Sequence, residues 1–384
     1  MRLLISAPSY PSPKVQLSAF IAVLAEEMVR QGVNVTVLAP QSLTTCWRRR
    51  IPLCPQKYEV EVETKHGVKK MTILRPYSFT FGQGRFKRLS HRVDRLVVNR
   101  VANQLKEKPD VVYSHFWWSA ENIIDYAVAH GLPSFVATGE HVINIHRCLN
   151  QVRIRQIREN TNGVICVSTK SRDESIGCGL TDGNNTIILP NAVNPDVFHP
   201  IEKKAVRKQL GFPQDAFIVS YCGRFCTRKG SGRLAAAIEM LNDDRVKSIF
   251  IGTASEGEKE DPTCPGILFK GMLKHDEIPR YLNAADVFVL PTLAEGCSNA
   301  IVEAMACGVP VISSDLPFNH DICSEDNSIL IDPMNIQAIA EAIRRTMEPN
   351  VRERLSDGAL KTAQSLTISE RIRKILMFIE MRLH

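Results

Sequence analysis

No apolar run in the 384 residues approaches the ~20 residues of a membrane-spanning helix, and Leu3-Leu-Ile-Ser-Ala7 is too short for the apolar core of a secretory leader. Both absences point to a cytoplasmic chain. The eleven cysteines are odd in number and form no C-x-x-C pair, which speaks against a disulfide framework and against a zinc site. Most of them, Cys166 and Cys307 among them, read as small buried apolar residues. The ten histidines are equally scattered, so no metal and no cofactor is expected. Missing too is a glycine fingerprint after the first strand, with a ribose-binding acid about 20 residues on, which removes the pattern of a dinucleotide-dependent oxidoreductase.

What is present suits a globular α/β protein of two domains, since a chain this long exceeds one small core. Its charge is unevenly placed. Residues 1–195 carry 25 Lys and Arg against 15 Asp and Glu, whereas residues 196–384 carry 23 against 26. The excess concentrates in residues 46–100, the least regular part on sequence grounds. There Trp47-Arg-Arg-Arg50 and Lys69-Lys70 precede a run in which Phe81, Phe86 and Leu89 interleave with Arg85, Lys87, Arg88, Arg92, Arg95 and Arg100. Bulky apolar and cationic residues so mixed suit the surface of an anionic membrane, at about 1 kcal/mol per nearby cation. A solvated helix face is the plain alternative. No nucleic-acid-binding module accompanies the charge, so no nucleic acid is expected.

Strands and helices alternate from the start. Met1–Ala7 is a short apolar strand, Leu17–Gln31 has helical spacing and stops at Gly32, and Val33–Leu38 is the next strand. Asp110–Ser114 and Pro133–Ala137 are further buried strands, each followed by polar and aromatic residues that could form the wall of a binding site, His115–Trp118 and Thr138–His141. Residues 162–168 and 186–189 complete the first sheet. Pro190–Phe198 is too rich in Pro and Asn for an element, and it sets the domain boundary near 198, between residues 1–198 and residues 199–368.

The second half holds the informative unit, Ala285–Asp315. A β-branched and aromatic strand, Asp286–Leu290, stops at Pro291; a loop with Glu295, Gly296 and Cys297 follows; Ser298 or Asn299 caps a helix over Ala300–Cys307; Gly308 and Pro310 end it before the strand Val311–Ser314. In such βαβ units the crevice lies at the carboxyl ends of the strands, where helix N-termini aim N–H groups outward. Glu303, on a helix otherwise made of Ala, Ile, Val, Met and Cys, has no packing reason to be there, and a carboxylate accepts well from vicinal hydroxyls. One crossover earlier, the strand Phe217–Tyr221 runs into Gly223, Arg224, Lys229 and Gly230 ahead of a helix over Ser231–Leu241. Backbone N–H groups, a helix N-terminus and two cations are what a diphosphate requires.

Glu295 and Glu303, with seven residues between them, in the setting PT-x-x-EG and EAMA-x-G-x-PV, resemble the E-x7-E signature of the GT-4 type, GT-B fold, retaining glycosyltransferases. The likeness covers most of residues 186–340. It includes the G-R-x-x-x-x-K-G loop at Gly223–Gly230 and the interdomain Pro190–Phe198, where Ala192 replaces the usual Gly and Asn194 the usual Asp. The resemblance implies two doubly wound, Rossmann-like domains facing across a cleft, residues 1–198 binding the acceptor and 199–368 the donor, with the helix 369–384 crossing back to the first. It implies transfer of a hexose-type sugar from a nucleotide-sugar to an acceptor hydroxyl, with retention and without a metal.

On that resemblance, Arg224 and Lys229 neutralise the departing diphosphate. Glu295 holds donor-sugar hydroxyls, Glu303 the ribose, and amides from Gly296, Cys297, Ser298 and Asn299 complete the cradle. Main chain beside Met272 and Leu273, over the apolar Ile278, holds the base. The family histidine aligns near Gly139 or Glu140, leaving Glu140 and His141 as candidates. The usual Gly-Gly pair of the first loop is absent; Ser9–Lys14 stands there, and Lys14 could approach an anion. The expected partners are a nucleotide-sugar, a saccharide or lipid-linked saccharide of surface-polysaccharide or glycolipid assembly, and the inner face of the membrane. A nucleotide-sugar epimerase of the same fold and a noncatalytic sugar- or membrane-binding subunit are the alternatives.

Overall fold

The structure, a computed structural model, describes residues 1–12, 18–81, 87–254 and 260–383. The expectations for Lys14, Arg85 and Phe86, and for the side chain of Lys87, lie outside the described residues. The chain divides into two compact units, Met1–Leu189 joined by the chain from Ile372 on, and Pro190–Arg371.

The first unit is built on an eight-stranded sheet in the order Thr186–Ile188, Gly163–Cys166, Ser134–Thr138, Val111–His115, Arg2–Ser6, Asn34–Leu38, Gly67–Leu74, Lys57–Thr64. All neighbours are parallel except the last pair. Val111–His115 and Ser134–Thr138 are buried along their whole length, as strands of a sheet covered on both faces must be. Residues 46–100 are more regular than the composition suggests: a helix over Leu43–Arg49, an antiparallel hairpin of Lys57–Thr64 with Gly67–Leu74, and a helix over Lys87–Asn103. Its signal is the alternation of Tyr58, Val60 and Val62 with Lys57, Glu59, Glu61 and Glu63, the charged row pointing outward, and a turn closed by Gly67 at φ 100°. Counting cations hid that period.

The boundary also moves. Val193 donates its N–H to Leu366 O at 2.9 Å and accepts from Ile368 N at 2.8 Å, so Pro190–Phe198 packs as part of the second unit, and the division falls at Leu189 rather than near 198. The last helix, Ile368–Leu383, carries Phe378 edge-on to Phe135 of the first sheet at 6.2 Å, and Arg382 donates to Asn184 O at 2.6 Å.

The second unit has a six-stranded, wholly parallel sheet in the order Ile267–Gly271, Val246–Ile251, Phe217–Cys222, Val287–Leu290, Val311–Ser314, Ser328–Ile331. Phe217–Cys222 and Val287–Leu290 are neighbours. The loops leaving their carboxyl ends therefore emerge side by side. The helix after Val287–Leu290 spans Asn299–Ala306, one residue earlier than its apolar pattern suggests, because Ser298 is the N-cap.

Candidate functional site

Two crossovers of the second unit build the site. The first runs from Cys222 to the helix Ser231–Leu241. Gly230 holds φ 78°, and a Cβ there would strike the Pro291 carbonyl of the second crossover, so only glycine lets the two loops approach this closely. Leu293 N donates to Arg228 O at 2.8 Å, and Arg233 reaches Pro291 O at 2.7 Å. One of these bonds joins the two loops backbone to backbone, and the other ties the helix side chain to the second loop's carbonyl.

Lys229 then lays its ammonium on Glu295 Oε1, with the lysine side chain 14% and the glutamate 12% exposed. Arg228 reaches the same oxygen at 3.1 Å and Thr292 Oγ1 donates to it at 3.1 Å. Of the two cations expected to meet the phosphates, the structure thus brings Lys229 to Glu295, while the Arg224 side chain is exposed and makes no hydrogen bond or ion pair among the described residues. Arg228 was not anticipated. Its only sequence signal was adjacency to Lys229, and spacing along a loop does not show which way a side chain points.

Ser298 caps the helix Asn299–Ala306 without a side-chain bond to it, and its hydroxyl, on a residue 3% exposed, has no hydrogen-bond partner among the described residues. A buried orphan hydroxyl beside open helix N–H groups is ready for an anion or a sugar hydroxyl. Gly296 and Cys297 are buried, and Asn191 Nδ2 fixes the loop by donating to Cys297 O at 3.0 Å. Burial pushes the Cys297 thiol up to about 12, so it does not act as a nucleophile near neutral pH.

Glu303 is 8% exposed and accepts from His275 Nε2 at 3.0 Å, while Phe198 meets the His275 ring edge-on at 5.1 Å. Burial raises the Cys222 thiol to about 12, Glu303 adding to the rise and Lys229 opposing it. Met272 is 72% exposed, Leu273 half-buried and Ile278 buried, which makes this turn an apolar ledge beside His275. The hydrogen bond to Glu303 raises His275 above the ordinary 6.5, against desolvation. The stabilisation from this pair is therefore complete below pH 6.5 and fades as pH climbs through the higher folded value. Proton NMR of the His275 ring should give a midpoint above 6.5 that falls in Glu303→Gln; a midpoint unmoved by that change would separate the two groups.

The two candidates of the first unit are not alike. Glu140 Oε1 accepts from Trp117 N at 2.8 Å, and Oε2 accepts from Thr138 Oγ1 at 2.7 Å and Gly139 N at 3.0 Å. That places the carboxylate at the N-terminus of the helix Trp117–Ala129, a capping position, and burial lifts its pKa against these bonds. His141 is exposed, and its carbonyl accepts from Lys170 Nζ at 2.9 Å.

Known proteins give this geometry its context. Residues 17–197 match the model described as Glycosyltransferase Family 4, and residues 216–349 the model described as Glycosyl transferases group 1. A Bacillus subtilis protein described as a teichuronic acid biosynthesis glycosyltransferase is 26% identical over 378 residues, 95% of this chain and 94% of its own length. An Escherichia coli galactosyltransferase, named for UDP-Gal and an α-D-GlcNAc-diphosphoundecaprenol, is 28% identical over 58% of this chain and 61% of its own. Among solved structures, a sucrose-phosphate synthase from Thermosynechococcus elongatus superposes with TM-score 0.77 at 20% identity, covering 99% of this chain and 98% of that one. Anabaena HepE in complex with UDP-glucose does so with TM-score 0.70 at 18%, covering 99% of both.

Proposed function

The chain belongs to the GT4-type glycosyltransferases and has the GT-B fold, and on that premise we propose that it moves a hexose-type sugar from a nucleotide diphosphate to an acceptor hydroxyl with retention of configuration. The observation that carries this reading is the Lys229–Glu295–Arg228 junction, where two cations and a carboxylate from adjacent crossovers converge beside the unpartnered Ser298 hydroxyl.

The charges divide the work. When the donor arrives, its diphosphate takes Lys229 and the helix N–H groups after Ser298; Arg224, exposed on the same loop, turns onto it. Negative charge that grows on the leaving diphosphate is then met by cations already in place, a preorganised effect often worth more than any other in such sites. Glu295, released from Lys229, accepts from sugar hydroxyls while Arg228 keeps it oriented. Glu303 accepts from the ribose hydroxyls, with His275 holding the carboxylate against the base-binding turn.

A thermal-shift screen with UDP-, GDP- and ADP-sugars tests the reading. One nucleotide should raise the melting temperature, since a ligand at 100 times its Kd adds about 2.7 kcal/mol to the native state. That donor should be consumed only with an acceptor; a new sugar isomer formed from donor alone would make the protein an epimerase. Binding without turnover under any acceptor would favour a noncatalytic subunit.

The acceptor side follows from the first unit and from relatives named for teichuronic acid biosynthesis and for a diphosphoundecaprenol-linked sugar. Trp47 is 84% exposed beside the exposed Arg48, Arg49 and Arg50, and Leu53, Phe79 and Phe81 are also exposed. A bare indole flanked by three guanidiniums suits the headgroup layer of an anionic membrane carrying a lipid-linked acceptor. No helix among the described residues is long and apolar enough to cross a membrane. Vesicles of phosphatidylglycerol should sediment the protein at low salt and release it at high salt, and Trp47→Ala should weaken that binding; failure to sediment at low salt removes the membrane from the reading.

A further inference from the structure

The first unit contains a cavity of about 680 Å³ walled by the helices Lys87–Asn103, Trp117–Ala129 and Gln151–Glu159. Four guanidiniums and two carboxylates face it, and they do not balance. Arg95 and Arg153 both hold Glu121 Oε1, at 3.1 and 3.2 Å, and Arg153 also holds Asp125. Those four groups neutralise one another. Arg88 and Arg92 are left over, one turn apart on the same helix, exposed, and without an ion pair or hydrogen bond among the described residues. The cavity therefore has about two positive charges to spare, in guanidinium form, whose planar fork donates two parallel N–H bonds to a pair of phosphate oxygens.

A second observation comes from another residue lining the cavity. Glu121 is only 3% exposed, yet its Oε2 has no hydrogen-bond partner among the described residues, while Oε1 has two. A buried acceptor left open costs free energy until a donor reaches it. A sugar hydroxyl is such a donor, and a dianionic phosphate is not. The neighbouring wall is ring-lined, the His91 ring stacking flat on Trp118 at 3.5 Å.

We propose that this cavity binds a phosphorylated saccharide, its phosphate on Arg88 and Arg92 and a ring hydroxyl on Glu121. A phosphate monoester carries about −1.5 to −2 at neutral pH, which matches the two unspent cations. That the bound molecule is the sugar acceptor rests on the glycosyl-transfer reading; the binding itself does not.

Titration calorimetry with glucose 1-phosphate, run on Lys229→Ala so that the donor loop does not compete, tests the assignment. Binding should persist in that background and weaken roughly 10- to 100-fold when Arg88→Gln and Arg92→Gln are added, as expected for lost charge-assisted bonds. Unphosphorylated glucose should bind weakly and be indifferent to those changes. Both arginines are exposed, so the variant should melt like its parent and keep its nucleotide-induced thermal shift in an otherwise native chain, which separates this site from the donor reading. Equal affinity with and without the two arginines would overturn the proposal. So would loss of all glucose 1-phosphate binding in Lys229→Ala alone. Phosphatidic acid vesicles that need Arg88 and Arg92 while glucose 1-phosphate does not bind would also overturn it, showing a lipid headgroup site instead.

Discussion

Lys229→Ala should lower turnover by about 10² to 10³-fold and leave the protein folded. Its ammonium contacts Glu295, but Glu295 keeps Arg228 at 3.1 Å and Thr292 at 3.1 Å when the lysine is gone, so no buried carboxylate is abandoned. The loop itself hangs on main-chain bonds, Lys229 N and Gly230 N both to Cys226 O at 3.0 Å, which the substitution spares. On the proposed reading, what disappears is one preplaced cation for the leaving diphosphate. The loss should appear mainly in kcat, because charge on the diphosphate grows toward the transition state, and Lys229→Arg should not restore it, since a forked guanidinium does not occupy the place of a point charge. A cycle with Glu295→Gln should return a coupling of roughly 0.5–3 kcal/mol, as direct contacts do. Turnover near that of the wild type in Lys229→Ala would take this residue out of the chemistry and with it the proposed donor geometry.

The part of this site that could be read from residues alone was the part written in punctuation. Pro291, Gly308 and Pro310 bracket the helix after Glu295, Gly223 and Gly230 bracket the loop with Lys229, and each bracket marks a backbone constraint that holds in any context. What eluded the sequence was pairing across loops. Arg228 and Arg224 look equivalent in Gly223–Gly230, yet one turns in to Glu295 and the other faces solvent, a difference made by Thr292 and the Ala294 carbonyl on another crossover. His275 was passed over because its partner, Glu303, is 28 residues away. Glu140 carried a catalytic expectation by alignment alone, and only three-dimensional bonds to Trp117, Thr138 and Gly139 reveal it as the cap of a helix.

Asp286→Ala should destabilise the second unit by about 3–5 kcal/mol, a large share of the 5–15 kcal/mol that holds a typical domain. Asp286 is 8% exposed and Arg207 4%, and they meet at 2.6 Å. Removing the carboxylate strands a buried guanidinium whose other bonds, to the carbonyls of Ala284, Gln214 and Ala216, supply no negative charge. Lys203 also binds Asp286 at 2.8 Å, but its side chain is 41% exposed, so Lys203→Ala should cost less than about 1 kcal/mol. Burial alone would raise the Asp286 pKa; Lys203, the Ile218 N–H and Arg207 outweigh it and hold the carboxyl below the ordinary 3.8. Its contribution is accordingly present above pH 3.8 and drains away as pH falls through the lower folded value, so Asp286→Asn should flatten the acid limb of the stability profile there. The effect should reach the candidate site as well. Asp286 N donates to Ile218 O at 2.7 Å and Oδ2 accepts from Ile218 N at 2.8 Å, locking together the two strands whose carboxyl ends carry Lys229 and Glu295. Urea midpoints that barely move in Asp286→Ala would show that this anchor does not set the register of the two loops.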